Sequence, residues 1–185
     1  DIAEQLHIPP ENYVITSFAR PNLSFKVVDN PVNTGLYLLD YIKKHSKQSG
    51  IIYASTRKNV EELTDYLAQN GILTASYHAG LSNKERADVQ DAFQFDKVQI
   101  IVATNAFGMG IDKSNVRFVI HANSTPNLES YYQEAGRAGR DGEPCEGILI
   151  YHPKDIRLYR WFIEQSDLDD EYKKIQDLVI IPIQI

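Results

Sequence analysis

Two arginines three residues apart, Arg137 and Arg140, are interleaved with Gly136, Gly139 and Gly142 in the stretch SYYQEAGRAGRDG. A guanidinium stays charged and offers a planar fork of donors, so a pair of them suits a phosphate or a transferring phosphoryl group. The glycines keep the backbone bare, which lets another segment or domain come close. A spacing of three turns both guanidiniums to roughly the same side. Other polar groups fall in short clusters, each directly after an apolar run. Ser55, Thr56 and Arg57 follow IIYA; His78, Ala79 and Gly80 follow TASY; Thr104, Asn105, Gly108, Gly110 and Asp112 follow IIVA; His121, Asn123, Ser124 and Thr125 follow RFVI. Hydroxyls, amides and imidazoles of this kind hydrogen-bond phosphate oxygens without strong positive charge. The rest of a nucleotide site is missing from the pattern. There is no G-x-x-x-x-G-K-[ST], and no acidic box follows a strand to hold magnesium. The residues supply half of a phosphoryl-transfer site.

The elements that must position these groups can be read from periodicity. SGIIYAS, ILTASYH, VQIIVAT, VRFVIH and EGILIY are short, β-branched and aliphatic, as buried strands are. TRKNVEELTDYLAQNG predicts a helix with Val60, Leu63 and Leu67 on one face and Gly71 as its stop. LSNKERADVQDAFQF opens with Ser82 and Glu85 in capping-box spacing. TPNLESYYQEAGRAG predicts a helix with Thr125 as N-cap, Pro126 at its first position and Gly139 as its stop, which puts Arg137 in the last turn and Arg140 just past it. HPKDIRLYRWFIEQ predicts a closing helix. Upstream, YVITSF and LSFKVVD read as strands separated by ARPN, a linker or strand crossover. NTGLYLLDYIKKHSKQ reads as a helix with Leu36, Tyr37, Leu39 and Ile42 toward the core. Strands alternating with helices imply an α/β fold, a parallel sheet with helices on both faces in three layers. In such sheets ligands bind beyond the carboxyl ends of the strands, where the polar clusters fall.

Composition narrows the function. The chain has 185 residues, 43% of them hydrophobic and 24% charged, with a net charge of -6. An acidic balance argues against broad electrostatic capture of nucleic acid and leaves room for a narrow groove of backbone donors and a few cations. The single Cys145 excludes an internal disulfide, and with five scattered histidines it gives no zinc-ligand spacing. No apolar run approaches the ~18 residues of a membrane span, and the lone cysteine makes an intracellular compartment the default expectation. The chain does not start with Met, which fits a piece of a longer protein.

On these residues the chain resembles the second RecA-like lobe of a RecQ-type, superfamily 2 DNA helicase. GIIYASTRKNVEELTDYL resembles motif IV of that family, and YHAGLSNKERADVQDAFQ the segment after it. IIVATNAFGMGIDKSNVRFVIH resembles motif V, ESYYQEAGRAGRDG motif VI, and SFARPNLSF the lead-in from the first lobe. Gln133 opens motif VI and Tyr131 and Tyr132 precede it, which differs from the His-Arg-x-Gly-Arg-x-Gly-Arg of DEAD-box RNA helicases. The resemblance implies a division into residues 1–12 as the end of a preceding lobe, 13–30 as lead-in strands, 31–165 as the second lobe and 166–185 as the start of a further element.

The same resemblance implies ATP and Mg2+ bound mainly by an absent first lobe, to which this lobe supplies an arginine finger. Arg140 resembles the γ-phosphate finger and Arg137 its supporting partner, with Gln133, Gly110 and Asp112 coupling the ATP cleft to DNA. Thr56, Arg57, His78, Gly80, Thr104 and Asn105 fall where the family meets the single-strand backbone. The implied partners are single-stranded or forked DNA and the first lobe. The implied location is cytoplasmic in a bacterium or nuclear in a eukaryote, the implied polarity is 3′→5′, and this lobe alone should neither hydrolyse ATP nor unwind DNA. Two other functions stay open: an RNA helicase lobe, and a degenerate lobe kept for protein interaction.

Overall fold

The structure is a computed structural model that describes Pro9 and residues 20–108, 112–125 and 127–155. Ten elements follow in order: β1 (Leu23–Asp29), α1 (Thr34–Lys44), β2 (Ser49–Tyr53), α2 (Arg57–Gln69), β3 (Thr74–Tyr77), α3 (Asn83–Gln94), β4 (Ile100–Ala103), β5 (Val116–His121), α4 (Leu128–Ala135) and β6 (Cys145–Tyr151). The six strands make one sheet in the order β1-β6-β5-β2-β4-β3, and every pair in it is parallel.

The strand sequences account for the burial. β2 and β4 are buried at every position, as expected of strands covered on both faces. Side chains alternate between two cores. On one face Ile52, Ile100, Val102, Phe118, Ile120, Ile148 and Ile150 meet α1 and α2 through Leu38, Leu39, Ile42, Val60 and Leu67. On the other, Ile51, Tyr53, Ile101, Ala103, Val119 and Tyr77 meet Phe93 of α3, Phe107 and Ala138, while Tyr131 and Ala135 of α4 pack on Leu149. The helices therefore lie on both faces, as the sequence predicts.

Local chemistry sets the helix ends. Asn33, Thr56, Ser82 and Asn127 each accept a backbone N–H of the first turn. The capping box closes in both directions, with Glu85 N–H donating to Ser82 Oγ (3.2 Å) and Ser82 N–H donating to Glu85 Oε2 (2.7 Å). Gly71 follows α2 at φ +83, as a stop glycine should.

Three details differ from the sequence reading. α4 starts at Asn127 rather than Thr125, because the Asn127 side chain accepts the Ser130 N–H at 2.7 Å, while the Thr125 hydroxyl donates to the Asn127 carbonyl. It ends at Gly136, not Gly139, so Arg137 lies beyond the helix. On α1, Leu36 is half exposed and Leu38 takes the core position, since Leu38 and Ile42 are one turn apart on the buried side. The expected strand in 13–18 and the helix beyond Asp155 lie outside the described residues.

One connection matters most for the site. β4 and β5 flank β2 on opposite sides, so the chain from Thr104 to Asn115 must step across β2. It starts at the carboxyl edge of the sheet and ends at the amino edge, where Val116 begins β5. Phe107, fully buried, is the peg that holds it down, edge-on to Tyr77 at 4.7 Å and to Phe93 at 6.1 Å.

Candidate functional site

The sequence-picked residues separate into two groups. The first sits at the carboxyl edge, after β2, β3 and β4. Thr56 caps α2, its hydroxyl accepting the Asn59 N–H at 3.1 Å, and Arg57 is exposed at the first helical position. His78 is buried; its Nδ1 accepts the Gly80 N–H at 3.2 Å, which leaves Nε2, 3.3 Å from Glu61 Oε1, to carry the ring proton. A Cβ on Gly80 would lie 3.1 Å from His78 Nδ1 and 3.3 Å from Arg57 Nη1, so these three residues form one cluster. Thr104 donates its N–H to the Tyr77 carbonyl (3.1 Å), and its hydroxyl accepts the Ala106 N–H (3.4 Å). Asn105 projects into solvent. The edge thus presents hydroxyl, amide and backbone groups with a single arginine partly balanced by Glu61. It can bind an anion chain by hydrogen bonds but exerts little long-range pull.

The edge is braced from within. Asn123 Oδ1 accepts from the Ser55 N–H (3.3 Å) and hydroxyl (3.2 Å), and Asn123 Nδ2 donates to Asp155 Oδ1 (3.3 Å). Buried Asp155 also accepts the Ser124 N–H at 2.9 Å. Loops after β2, β5 and β6 are thereby tied together.

The second group lies where α4 ends. Here the geometry departs from a single ligand edge. The loop after α4 bonds to the amino end of β5, through Gly139 N–H to the Val116 carbonyl (2.8 Å) and Arg117 to both oxygens of Asp141 (2.6 Å). Those bonds from Arg117 hold the Asp141 carboxyl below the usual carboxylate range. The arginine side chains reach the crossing connection. Arg137 Nη1 donates to the Gly108 carbonyl at 2.6 Å, and its guanidinium lies flat against that residue, since a Cβ there would come 2.2 Å from Nη2. A side chain at 108 would therefore displace the Arg137 guanidinium from its seat. Tyr53 donates to the preceding carbonyl, Phe107, at 2.9 Å. Burial pushes the Tyr53 phenol well above its ordinary range, and the nearby Arg137 charge only partly opposes this. Arg137 Nε is buried with no acceptor among the described residues.

Arg140 differs from Arg137 in being exposed, with Nη1 at 3.4 Å from Asp112 Oδ1; Asp112 itself is 95% exposed. An ion pair so open to water is worth about 0–1 kcal/mol. Gln133 is exposed on α4, donating to Glu129 Oε1 at 3.1 Å. Gly110 lies outside the described residues. The structure therefore joins Arg137, Arg140, Gly108 and Asp112 around one connection, and leaves Thr56, Arg57, His78 and Gly80 at the sheet edge. Thr104 and Asn105 open that same connection.

Several contacts were not visible in the pattern. Arg20 and Asn22, in the ARPN segment, bond to carbonyls of the arginine loop. His121, buried on β5, stacks on Tyr53 at 5.2 Å and pairs with Glu134 of α4 at 2.7 Å. Lys113, beside Asp112, is buried against Phe93 and bonds to Asp96 at 2.7 Å. Each partner is remote in sequence, and no local signal announces it. No group of three or more His, Cys, Asp or Glu that could hold a metal occurs among the described residues, and no described helix is long and apolar enough to cross a membrane.

With this geometry in hand, comparison with known proteins is decisive. Residues 34–142 match the family of the helicase conserved C-terminal domain. The chain belongs to that family. It is 47% identical over 178 residues to the ATP-dependent DNA helicase RecQ of Bacillus subtilis (strain 168), covering 96% of this chain and 30% of that protein. It is 43% identical over 176 residues to the ATP-dependent helicase SGS1 of Saccharomyces cerevisiae (strain ATCC 204508 / S288c), covering 94% of this chain and 12% of that protein. The chain thus spans less than a third of the length of these relatives. Among solved structures, the E. coli DEAD-box protein SrmB bound to the regulator of ribonuclease activity A superposes with a TM-score of 0.64 at 21% identity, over 76% of this chain and 81% of that one; this likeness speaks to the fold. The helicase C-terminal domain is here a RecA-like lobe of superfamily 2 type with RecQ helicases as relatives, as the motifs imply.

Proposed function

We propose that this lobe is the second motor lobe of a RecQ-type, ATP-driven 3′→5′ DNA helicase, and that Arg140 is the finger it presents to ATP held by a first lobe. The observation that carries the proposal is the contrast between the two arginines on one loop. Arg137 is fixed, flat on Gly108 and bonded to its carbonyl. Arg140 is exposed beside an exposed carboxylate. A finger must reach a neighbour's phosphate while its loop stays still, and this pair divides those two tasks. The exposed Arg140 guanidinium is a charged planar fork of the kind that fits phosphate oxygens. ATP is the substrate and Mg2+ its companion, both held mainly by the first lobe; within the described residues the acidic groups do not assemble a metal site.

The carboxyl edge takes the single strand. Thr56, Arg57, His78, Gly80, Thr104 and Asn105 offer it hydrogen bonds at low positive charge, so binding by this lobe is weak and salt-sensitive. The connection from Thr104 to Asp112, with Gly110 in its course, touches both sites and is the physical link between them. The Bacillus subtilis relative is named a DNA helicase and a relative from Acanthamoeba polyphaga mimivirus a putative RNA helicase; stimulation of ATP turnover by single-stranded DNA and not by RNA distinguishes this proposal from an RNA helicase.

The test is Arg140→Ala in the full-length helicase. Turnover should fall by about 10³-fold or more, while binding of a fluorescent ATP analogue stays near wild type. Wild-type turnover in this variant overturns the assignment.

A further inference from the structure

We propose that Arg20 is a positioning residue for the arginine finger, a role that rests on the assignment of Arg140 above. Arg20 lies 116 to 119 residues before the loop it holds, yet its fork spans three of that loop's carbonyls. Nη1 donates to Gly136 (3.1 Å), and Nη2 donates to Ala138 (2.8 Å) and Gly139 (2.9 Å). Nε donates to Asn22 Oδ1 at 3.4 Å. Asn22 Nδ2 in turn donates to Gly139 (2.8 Å) and to the Glu143 carbonyl (3.0 Å).

The loop needs this support for physical reasons. α4 ends at Gly136; the carbonyls of Tyr132, Glu134 and Ala135 accept the N–H groups of Gly136, Arg137 and Ala138, and the Gly136 and Ala138 carbonyls, past that turn, are met by Arg20. Gly136 and Gly139 bracket Arg137 and lead into Arg140, and glycine is the residue that loses most conformational freedom when fixed. Gly139 stands at φ +60, with Cys145 Sγ and Asn22 Nδ2 within 2.4 and 2.6 Å of where a Cβ would be. A planar guanidinium meets three acceptors at once; an ammonium, a point donor, cannot reproduce that fork. A cation also suits the negative end of the helix.

Arg20 is itself well anchored. Its carbonyl accepts the Leu23 N–H at 3.0 Å, Leu23 is buried, and β1 runs in register with β6 from Cys145 onward. The chain's approach to the sheet is thus clamped to the backbone of the finger loop. The sequence pattern marks ARPN as a break between strands; the contacts make it a brace.

The experiment measures steady-state ATP turnover in the full-length helicase at saturating single-stranded DNA, per folded enzyme counted by nucleotide-binding stoichiometry. Arg20→Ala should lower kcat at least about tenfold, since small misplacements of a catalytic group carry losses of that order, with KM for ATP within about twofold of wild type. Arg20→Lys should fall between the two. Arg20→Ala combined with Arg140→Ala should be no slower than Arg140→Ala, because a brace has nothing to add once its finger is gone.

A normal kcat per folded enzyme in Arg20→Ala, with Arg140→Ala inactive, overturns the positioning role and leaves the finger standing. Full turnover in Arg140→Ala removes the finger assignment first, and this inference with it. Should Arg20→Ala not fold, Arg20→Lys and Arg20→Gln carry the test, and wild-type kcat in both overturns the role.

Discussion

The two halves of the site are built in opposite ways. At the carboxyl edge, the candidate side chains accept backbone N–H groups two or three positions away, Thr56 from Asn59, His78 from Gly80 and Thr104 from Ala106, over a base that longer-range bonds such as Thr104 N–H to the Tyr77 carbonyl hold in place. At the arginine loop, the holding contacts come from far along the chain: Arg137 on Gly108, Arg20 on Gly136 to Gly139, Gly139 on Val116. Under the proposed function, local bonds suit an edge that must adapt to a single strand moving past it. Long-range bonds make a loop report the arrangement of the whole sheet, which suits a group that must act only when a neighbour has closed. The crossing connection belongs to both, local at Thr104 and long-range at Gly108.

That contrast breaks most visibly at Phe107. Its ring is fully buried and pins the connection to the second core. Phe107→Ala should cost about 3–5 kcal/mol of stability, measured by urea unfolding of the 185-residue chain. A loss below about 1 kcal/mol would show that the connection is not pegged there. Next in size is Gly139→Ala. The alanine would meet Cys145, Asn22 and the Glu143 carbonyl, all under 3.0 Å, at a φ of +60. About 1–3 kcal/mol of destabilisation is expected from overpacking and backbone strain together, read by the same unfolding curve. An unchanged midpoint would mean that the loop moves freely, against its three-carbonyl brace.

What the sequence made legible follows the same division. The capping box at Ser82 and Glu85, the apolar faces of α2 and the continuous strands β2 and β4 are local patterns, and each was readable. Arg137 and Arg140 stood out as candidates too, because two cations among glycines carry their chemistry in their types, and their service as a half-site is the proposal made above. Their place was not: periodicity carried the helix on to Gly139, whereas Gly136 ends it and the carbonyls of Gly136, Ala138 and Gly139 bond to the distant Arg20. Thr125 was mistaken for the cap because both Thr125 and Asn127 can accept an N–H, and only the turn geometry decides between them. The chain from Tyr53, stacked on His121, to Glu134, paired with it, was invisible, since it joins three elements with no shared spacing. Sequence periodicity reports what a segment buries, and it is silent on which distant carbonyl a guanidinium will find.

Thr56 offers the smallest effect and the sharpest division between support and ligand. Its hydroxyl accepts the Asn59 N–H and caps α2, while it also faces the proposed path of the single strand. Thr56→Ala removes the cap and should cost about 1 kcal/mol. Thr56→Asp keeps an acceptor at the cap, and its charge favours the helix N-terminus, so stability should stay within about 0.5 kcal/mol of wild type. The same carboxylate would face phosphates, so the single-stranded DNA concentration giving half-maximal ATP turnover should rise in Thr56→Asp, and rise less in 0.5 M than in 0.05 M salt, because screening shortens the repulsion to roughly a few ångströms. If Thr56→Asp is as unstable as Thr56→Ala, the cap is not the hydroxyl's task. If instead it is stable and binds DNA as wild type does, the strand does not pass this corner of the sheet, and the carboxyl edge must be redrawn around Arg57, Gly80 and Asn105.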